Sequence, residues 1–335
     1  MHLLAASGLN VALIYGIWCW FAGLLRLPYN FSIVIGCLFI IFYIFMTGFP
    51  PSILRAGLMI LFGKLIDRNA DSIGLIFFVA FLILFFQPKM IFDIGFQLSF
   101  AVTFGLISGV EVITSKFKNI DDKFKKRYEN LNRFQKYILF IFSPVSIASA
   151  IAVPLVAQLW VVPLQMHYFN NFAPLSLFAN IAVVPFIGIL SFLGFISSII
   201  ALIPYVGNFV VFIFDFIANF LLILLIKISE LFSSFNFSLI STISLSVFQI
   251  FNFWAIITLF LLNLKNNFKN RKHIIILSTA VLIFILSFVK LDYFNENLEV
   301  VMFDVGNADS FLIKTPKRKY FIIDTGKKSY RGYSD

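Results

Sequence analysis

Asp93-Ile94-Gly95-Phe96-Gln97-Leu98-Ser99-Phe100 opens an apolar run that continues to Val112. About 20 mostly apolar residues suffice to cross a bilayer as a helix, so the stretch predicts a transmembrane helix. Asp93 and Gln97 are four apart and fall on one face of it. An ionisable group at bilayer depth costs roughly 2.5–3.5 kcal/mol on insertion scales, so it needs a partner or a wet cavity. Asp93 has two readings: a polar group facing such a cavity, or a helix-start carboxylate at the membrane surface near Lys89. Gln97, one turn further in, either bonds a neighbouring helix or lines something polar. The face it shares with Asp93 favours a polar lining.

Outward from this run the chain keeps the same texture. Of its 335 residues 60% are hydrophobic and only 13% charged, and apolar runs of spanning length recur, which places it among polytopic membrane proteins. The net charge of +10 lies mostly in residues 116–136, 265–272 and 314–331. Residues 113–137 read as a loop with eight Lys/Arg against Asp121, Asp122 and Glu129. With 265–272 they report a cytoplasmic side, because Lys and Arg collect there. Four candidate spans separate the two loops, so the last span, 274–289, carries the tail after Leu298 to the outer face. Cys19 and Cys37 stand singly in apolar runs and read as packing residues. No P-loop, His-Glu-x-x-His or Gly-x-Ser-x-Gly occurs, so nothing here binds ATP by a known loop.

Gly48-Phe49-Pro50-Pro51 ends one helix and starts another, since paired prolines stop a helix and pre-set the next first turn. Arg55 lies near the start of the helix that follows. From Ile138 to Pro204 prolines at 144, 154, 163, 174, 185 and 204 predict broken helices, tolerated at membrane depth only where protein or a wet cavity satisfies the freed backbone. The same region holds Gln158, Gln165, His167 and Asn180, with Gln158 and Gln165 seven apart on one helical face. After Asp292, Leu298–Phe303, Ser310–Lys314 and Tyr320–Asp324 are short apolar runs between turn residues and read as strands. The expected fold is all-α and polytopic, with about nine to ten transmembrane helices, some broken or re-entrant, in residues 1–291. A short β segment follows in 298–335.

Several stretches together resemble ComEC-type competence proteins, the inner-membrane channels for transforming DNA. His2-Leu3-Leu4-Ala5-Ala6-Ser7-Gly8-Leu9-Asn10 is similar to a His-Leu-Leu-Ala-x-Ser-Gly-Leu-His motif, with Asn10 where members usually have His. Pro51-Ser52-Ile53-Leu54-Arg55-Ala56 is similar to a Pro-Ser-x-x-Arg-Ala helix start, and Gly95 to Phe100 to a Gly-Phe-Gln-Leu-Ser-Phe motif. Ala157-Gln158-Leu159 through Pro185 resembles an Ala-Gln-Leu…Asn…Val-Pro block. Phe303-Asp304-Val305-Gly306 and Ile323-Asp324-Thr325-Gly326 resemble the opening strands of a metallo-β-lactamase-like domain. Against that pattern, Asn307-Ala308 replaces Gln-Gly and Lys327 stands where a second Gly is common. The resemblance reads the chain as a fragment without the N-terminal OB-like region and most of the lactamase-like domain.

The resemblance implies passage of single-stranded DNA through the bacterial inner membrane. Its partners would be that strand, membrane lipid, a DNA receptor, a cytoplasmic ATP-driven translocase and further copies of the chain. A path for a strand must hydrate it without gripping it; neutral amides and hydroxyls do so, whereas a dense row of Lys/Arg would trap it through counterion release. The candidates for that lining are His2, Ser7, Asn10, Gln97, Gln158, Gln165 and Asn180. Gln97, Gln158 and Asn180 are expected to face one polar cavity, with Asp93 and Arg55 near its mouth. Arg55 has three readings: a phosphate contact, a partner of Asp93, or a side chain snorkelling to the headgroups, the last favoured slightly. Two other classes compete. Broken helices with polar residues also mark a small-solute transporter, although no inverted repeat is evident. A membrane-tethered metal hydrolase would need clustered His and Asp ligands, and no histidine follows His273. No catalytic, metal or cofactor site is therefore expected in this chain, a divalent metal belonging to the missing domain of longer relatives.

Overall fold

The computed structural model describes residues 8–65, 71–127, 139–140, 142–201, 206–235, 237–266, 268, 271–288, 298–303, 310–315 and 319–324. They form two units, residues 1–280 and 281–335. The first holds α1 (Gly8–Leu24), α2 (Tyr29–Thr47), α3 (Pro51–Leu65), α4 (Ser72–Phe86), α5 (Ile94–Ser115), α6 (Lys118–Arg127), α7 (Pro144–Phe169), α8 (Ser176–Ile200), α9 (Val206–Ser233) and α10 (Val247–Lys265), and α11 (Arg271–Leu286) crosses into the second.

Local chemistry sets the ends. Gly48 takes a left-handed conformation after α2, and Pro51 then supplies the first residue of α3. Asp71 caps α4 by accepting from the Ile73 and Gly74 amides. Ser246 and Gln249 close a capping box at the head of α10, satisfying two amide donors a helix start leaves open.

Five helices among the described residues are long and apolar enough to cross a membrane: α2, α5, α7, residues 211–233 of α9, and α10. The two halves of α8, Ser176–Val183 and Phe186–Ser198, make a sixth if they cross as one, at an angle of 44°. The all-α polytopic bundle expected from hydropathy is present; α1, α3, α4 and α11, whose described residues number 15 to 17, are the shorter members beside these longer spans. Large apolar side chains face outward throughout, as on α9 with Phe212, Phe216 and Phe220 mostly exposed. This is a surface for lipid rather than water.

Two expectations need correction. Pro154 and Pro163 do not break the chain; α7 runs through both for 26 residues, as membrane helices allow when neighbours re-satisfy the freed backbone. Residues 113–137 are not wholly a loop either. α5 runs on to Ser115 and α6 occupies 118–127, an amphipathic turn sequence that buries Asp121 and exposes its lysines; 128–138 lie outside the described residues.

The core of the bundle is the antiparallel seam of α5 and α7. Gln97 meets Tyr168, Ala101 packs with Leu164, a Cβ on Gly105 would collide with the Trp160 indole, and one on Gly109 would lie 3.1 Å from Val156. Each step of four along α5 thus meets a step of four back along α7. Small residues at 101, 105 and 109 let two membrane helices approach closely, where dispersion rather than hydrophobicity holds them. Trp160 stacks on Trp254 at 5.8 Å and joins α10 to the seam with Val156, Ile257 and Leu261. On the other side, Val11, Ile40, Ile44 and Ile53 bind α1, α2 and α3 together, and Val79, Ile83 and Phe96 bind α4 to α5.

In the second unit β3 (Glu299–Met302), β4 (Phe311–Lys314) and β5 (Tyr320–Ile323) form an antiparallel meander in that order. Its register pairs Glu299 with Lys314 and Phe311 with Ile323. The three strands fall where the apolar runs place them. β1 (Asn171–Phe172) and β2 (Ile240–Ser241), back in the first unit, make a two-residue bridge.

Candidate functional site

Arg55, one turn into α3, points at α5. Its Nε donates to Ser99 Oγ at 2.7 Å, and its Nη1 donates to Thr103 Oγ1 and reaches Met59 Sδ at 3.8 Å. Ser99 and Thr103 are four apart on one face of α5, and Thr103 spends its own hydroxyl hydrogen on the Ser99 carbonyl at 2.9 Å. From the third side comes Gly8 at the head of α1, where an added Cβ would stand 3.0 Å from Arg55 Nη2 and from Ala56 Cβ. The sequence stretches around Gly8, Arg55 and Ser99 thus meet at one guanidinium. Among the described residues no carboxylate pairs with it. The snorkelling reading and the Asp93 pairing are both corrected: the side chain turns inward to two hydroxyls because they lie within reach and satisfy two of its five donors.

Asp93 is the N-cap of α5. Its Oδ1 accepts the Phe96 amide at 2.8 Å and its side chain is exposed, the helix-start role weighed above. Gln97 is committed on both ends, Nε2 donating to the Ile91 carbonyl and Oε1 accepting from Tyr168 Oη, each at 2.8 Å. Beside it His167 Nδ1 lies 2.6 Å from the Leu245 carbonyl, pinning the end of α7 to the approach of α10. Gln158 and Gln165 do share a face of α7. The Nε2 of Gln158 and the Oε1 of Gln165 are buried with no hydrogen-bond partner among the described residues. Asn10 is half-buried in the first turn of α1. His2 and Ser7 lie outside the described residues.

Asn180 sits elsewhere. It lines a cleft of about 600 Å³ between α6, the head of α7 and the first half of α8, with Lys125, Phe140, Ser149 and Pro154. Neither Gln97 nor Gln158 lines this cleft. At its rim Asp121 is almost fully buried, ion-paired with Lys125 at 2.6 Å, and accepts the Val145 amide at 3.3 Å. Burial alone would raise the Asp121 pKa; hydrogen bonds from Lys125, the Val145 amide and the Ser143 hydroxyl outweigh it and hold the carboxyl below its ordinary range. The carboxylate latches α6 to the positive end of α7.

Sequence reasoning missed Ser99, Thr103, Tyr168, Asp121 and Asp215. Asp215, flanked by Phe214 and Phe216 in α9, accepts a hydrogen bond from Ser197 Oγ at 3.2 Å. A carboxylate in so apolar a run was itself the signal, since ionisable residues in spans are functional candidates by default. Ser99 and Thr103 were visible as a hydroxyl pair at helical spacing.

The fold and these polar sites define a multi-pass helical membrane protein with a guanidinium inside its bundle that has no carboxylate partner among the described residues. The family described as Competence protein matches residues 1–267, and the chain belongs to that family. It is 27% identical over 344 residues to ComE operon protein 3 of Bacillus subtilis (strain 168), an alignment covering 97% of this chain and 38% of the relative. The chain therefore spans less than half the length of that curated relative. No solved structure matches it significantly.

Proposed function

We propose that the chain is the membrane channel part of an importer for single-stranded DNA in natural competence, set in the bacterial inner membrane. Arg55 carries the reading. It is a cation within the helical bundle, held among the described residues by the Ser99 and Thr103 hydroxyls and the Met59 sulfur, at the meeting point of three stretches that resemble competence motifs. A half-buried charge without a counter-ion among the described residues is costly, and a phosphodiester passing the site supplies one for the time of its passage. The surrounding hydroxyls and amides, with His2, Ser7, Asn10, Gln158, Gln165 and Asn180 as further candidates, hydrate a strand without adding the cations that would trap it.

Residues 113–137 and 265–272 face the cytoplasm in this reading and the tail after Leu298 faces outward. Four helices, α7 to α10, lie between the two basic segments, which supports that sidedness if the bent α8 crosses once. A DNA receptor outside and an ATP-driven translocase inside complete the machine, since this chain has no P-loop to drive transport. It hydrolyses nothing: residues 298–335 contain no histidine, and Asp324 directly follows β5, where its carbonyl accepts the Ser310 hydroxyl at 2.8 Å. The bent α8 with Asn180 in its first half also suits a small-solute transporter, and the following test separates the two. In a naturally transformable bacterium, Arg55→Ala in the full-length protein lowers transformation at least about tenfold, as the loss of a charged contact of about 1.5–3 kcal/mol requires, while membrane levels of the protein hold. Unchanged transformation sets aside the strand-import reading.

A further inference from the structure

We infer that the cleft between α6, α7 and α8 is a station for one nucleotide of the passing strand, with Lys125 toward a phosphate, Phe140 against a base and Asn180 toward a base edge. The inference rests on the importer reading above. The cleft measures about 600 Å³, inside the span of about 300–1,000 Å³ common for ligand sites. Like them it combines apolar walls, here Val153, Pro154 and Ile181, with a set of polar groups, here Asn180, three serines and the Asp121–Lys125 pair.

The polar groups decide what fits. Asn180 has no hydrogen-bond partner among the described residues. An acyl chain in the cleft would leave that amide unsatisfied against hydrocarbon, at real cost; a base edge satisfies it. Phe140 is 60% exposed at the rim and offers a ring on which any base stacks, which makes the hold blind to sequence. Lys125 is already paired with Asp121 at 2.6 Å, so the cation and the carboxylate together bring no net charge to the cleft. A phosphate meets a cation partly neutralised in advance. The grip is weak, as transit requires, because full counterion release would hold the strand in place. An anionic phospholipid would use Lys125 and the walls but not Asn180.

The test takes the full chain in phosphatidylcholine nanodiscs and follows the anisotropy of a fluorescein-labelled thymidine oligonucleotide across a salt series. Lys125→Gln lowers the slope of log K against log salt by less than about 0.7, the value for one full single-strand phosphate contact, because Asp121 already neutralises part of the Lys125 charge. Phe140→Ala weakens binding roughly tenfold at every salt concentration, and Asn180→Leu does so without changing the slope. Lys125→Arg, which keeps the charge and the pair with Asp121, binds as the wild type. Independently of these variants, the Ser149→Cys chain, with Cys19 and Cys37 replaced by alanine, reacts more slowly with maleimide when the oligonucleotide is present. If the wild type binds but these variants bind equally well and Ser149→Cys gains no protection, the cleft assignment fails and the importer reading stands. If the wild type does not bind, both fail. Phosphatidylglycerol retained by the wild type in native mass spectra and lost in Lys125→Gln, with oligonucleotide binding untouched, makes the cleft a lipid site and overturns the inference.

Discussion

At the scale of single residues, Arg55 and Asp121 are each held by named groups of a neighbouring helix. Replacing Ser99 with Ala and Thr103 with Val removes both hydroxyls that face the guanidinium. Hydrogen bonds to charged groups contribute about 1.5–3 kcal/mol each, so the double variant should melt lower in detergent than either single one; equal melting points would show that Arg55 has other support. Asp121 gives a prediction with a sign. Its carboxyl is held below the ordinary range, so the latch contributes in full above the unfolded pKa of about 3.9 and is lost as pH falls through the lower folded value. Proteolysis of α6 in sealed vesicles should be constant from neutral pH to mild acidity and faster in Asp121→Asn; protection that changes with pH near neutrality would contradict the assignment. Of these contacts the sequence displayed the parts and not the partners. Arg55 near a helix start reads as a snorkelling cation until α5 brings Ser99 and Thr103 within reach. Asp121 reads as one charge in a basic loop until Val145 offers its amide.

Among the elements, the α5–α7 seam is one of the two most extensive helix contacts. A Cβ at Gly105 would collide with the Trp160 indole, and overpacking of this kind typically costs about 1–3 kcal/mol. Gly105→Ala should lower thermal stability, and Trp160→Phe in the same chain should recover part of the loss. No recovery would mean that the seam tolerates the clash by sliding. The helix runs were legible because they are long and apolar, and the three C-terminal strands because they alternate with turn residues. The prolines of α7 misled for a physical reason. Proline breaks helices in water, but Pro163 is buried against neighbours that hold the helix together around it. Small residues at 101, 105 and 109 announce a close helix contact at four-residue spacing; what they cannot announce is which helix arrives there.

For the whole molecule, family membership and composition agree on a membrane protein, and the proposed path for a DNA strand runs through its helical bundle. The lipid-facing side of α9, where Phe216 is 71% exposed, gives an internal control for any path through the bundle. The most direct measurement stalls transforming DNA in passage by a bulky adduct at its trailing end, in cells whose full-length protein carries a photoreactive residue in place of Ser99, Gln158 or Phe216. Illumination should cross-link the strand to positions 99 and 158 and not to 216. Cross-linking at none of them, or at 216 as readily as at the others, would contradict passage of the strand through this bundle.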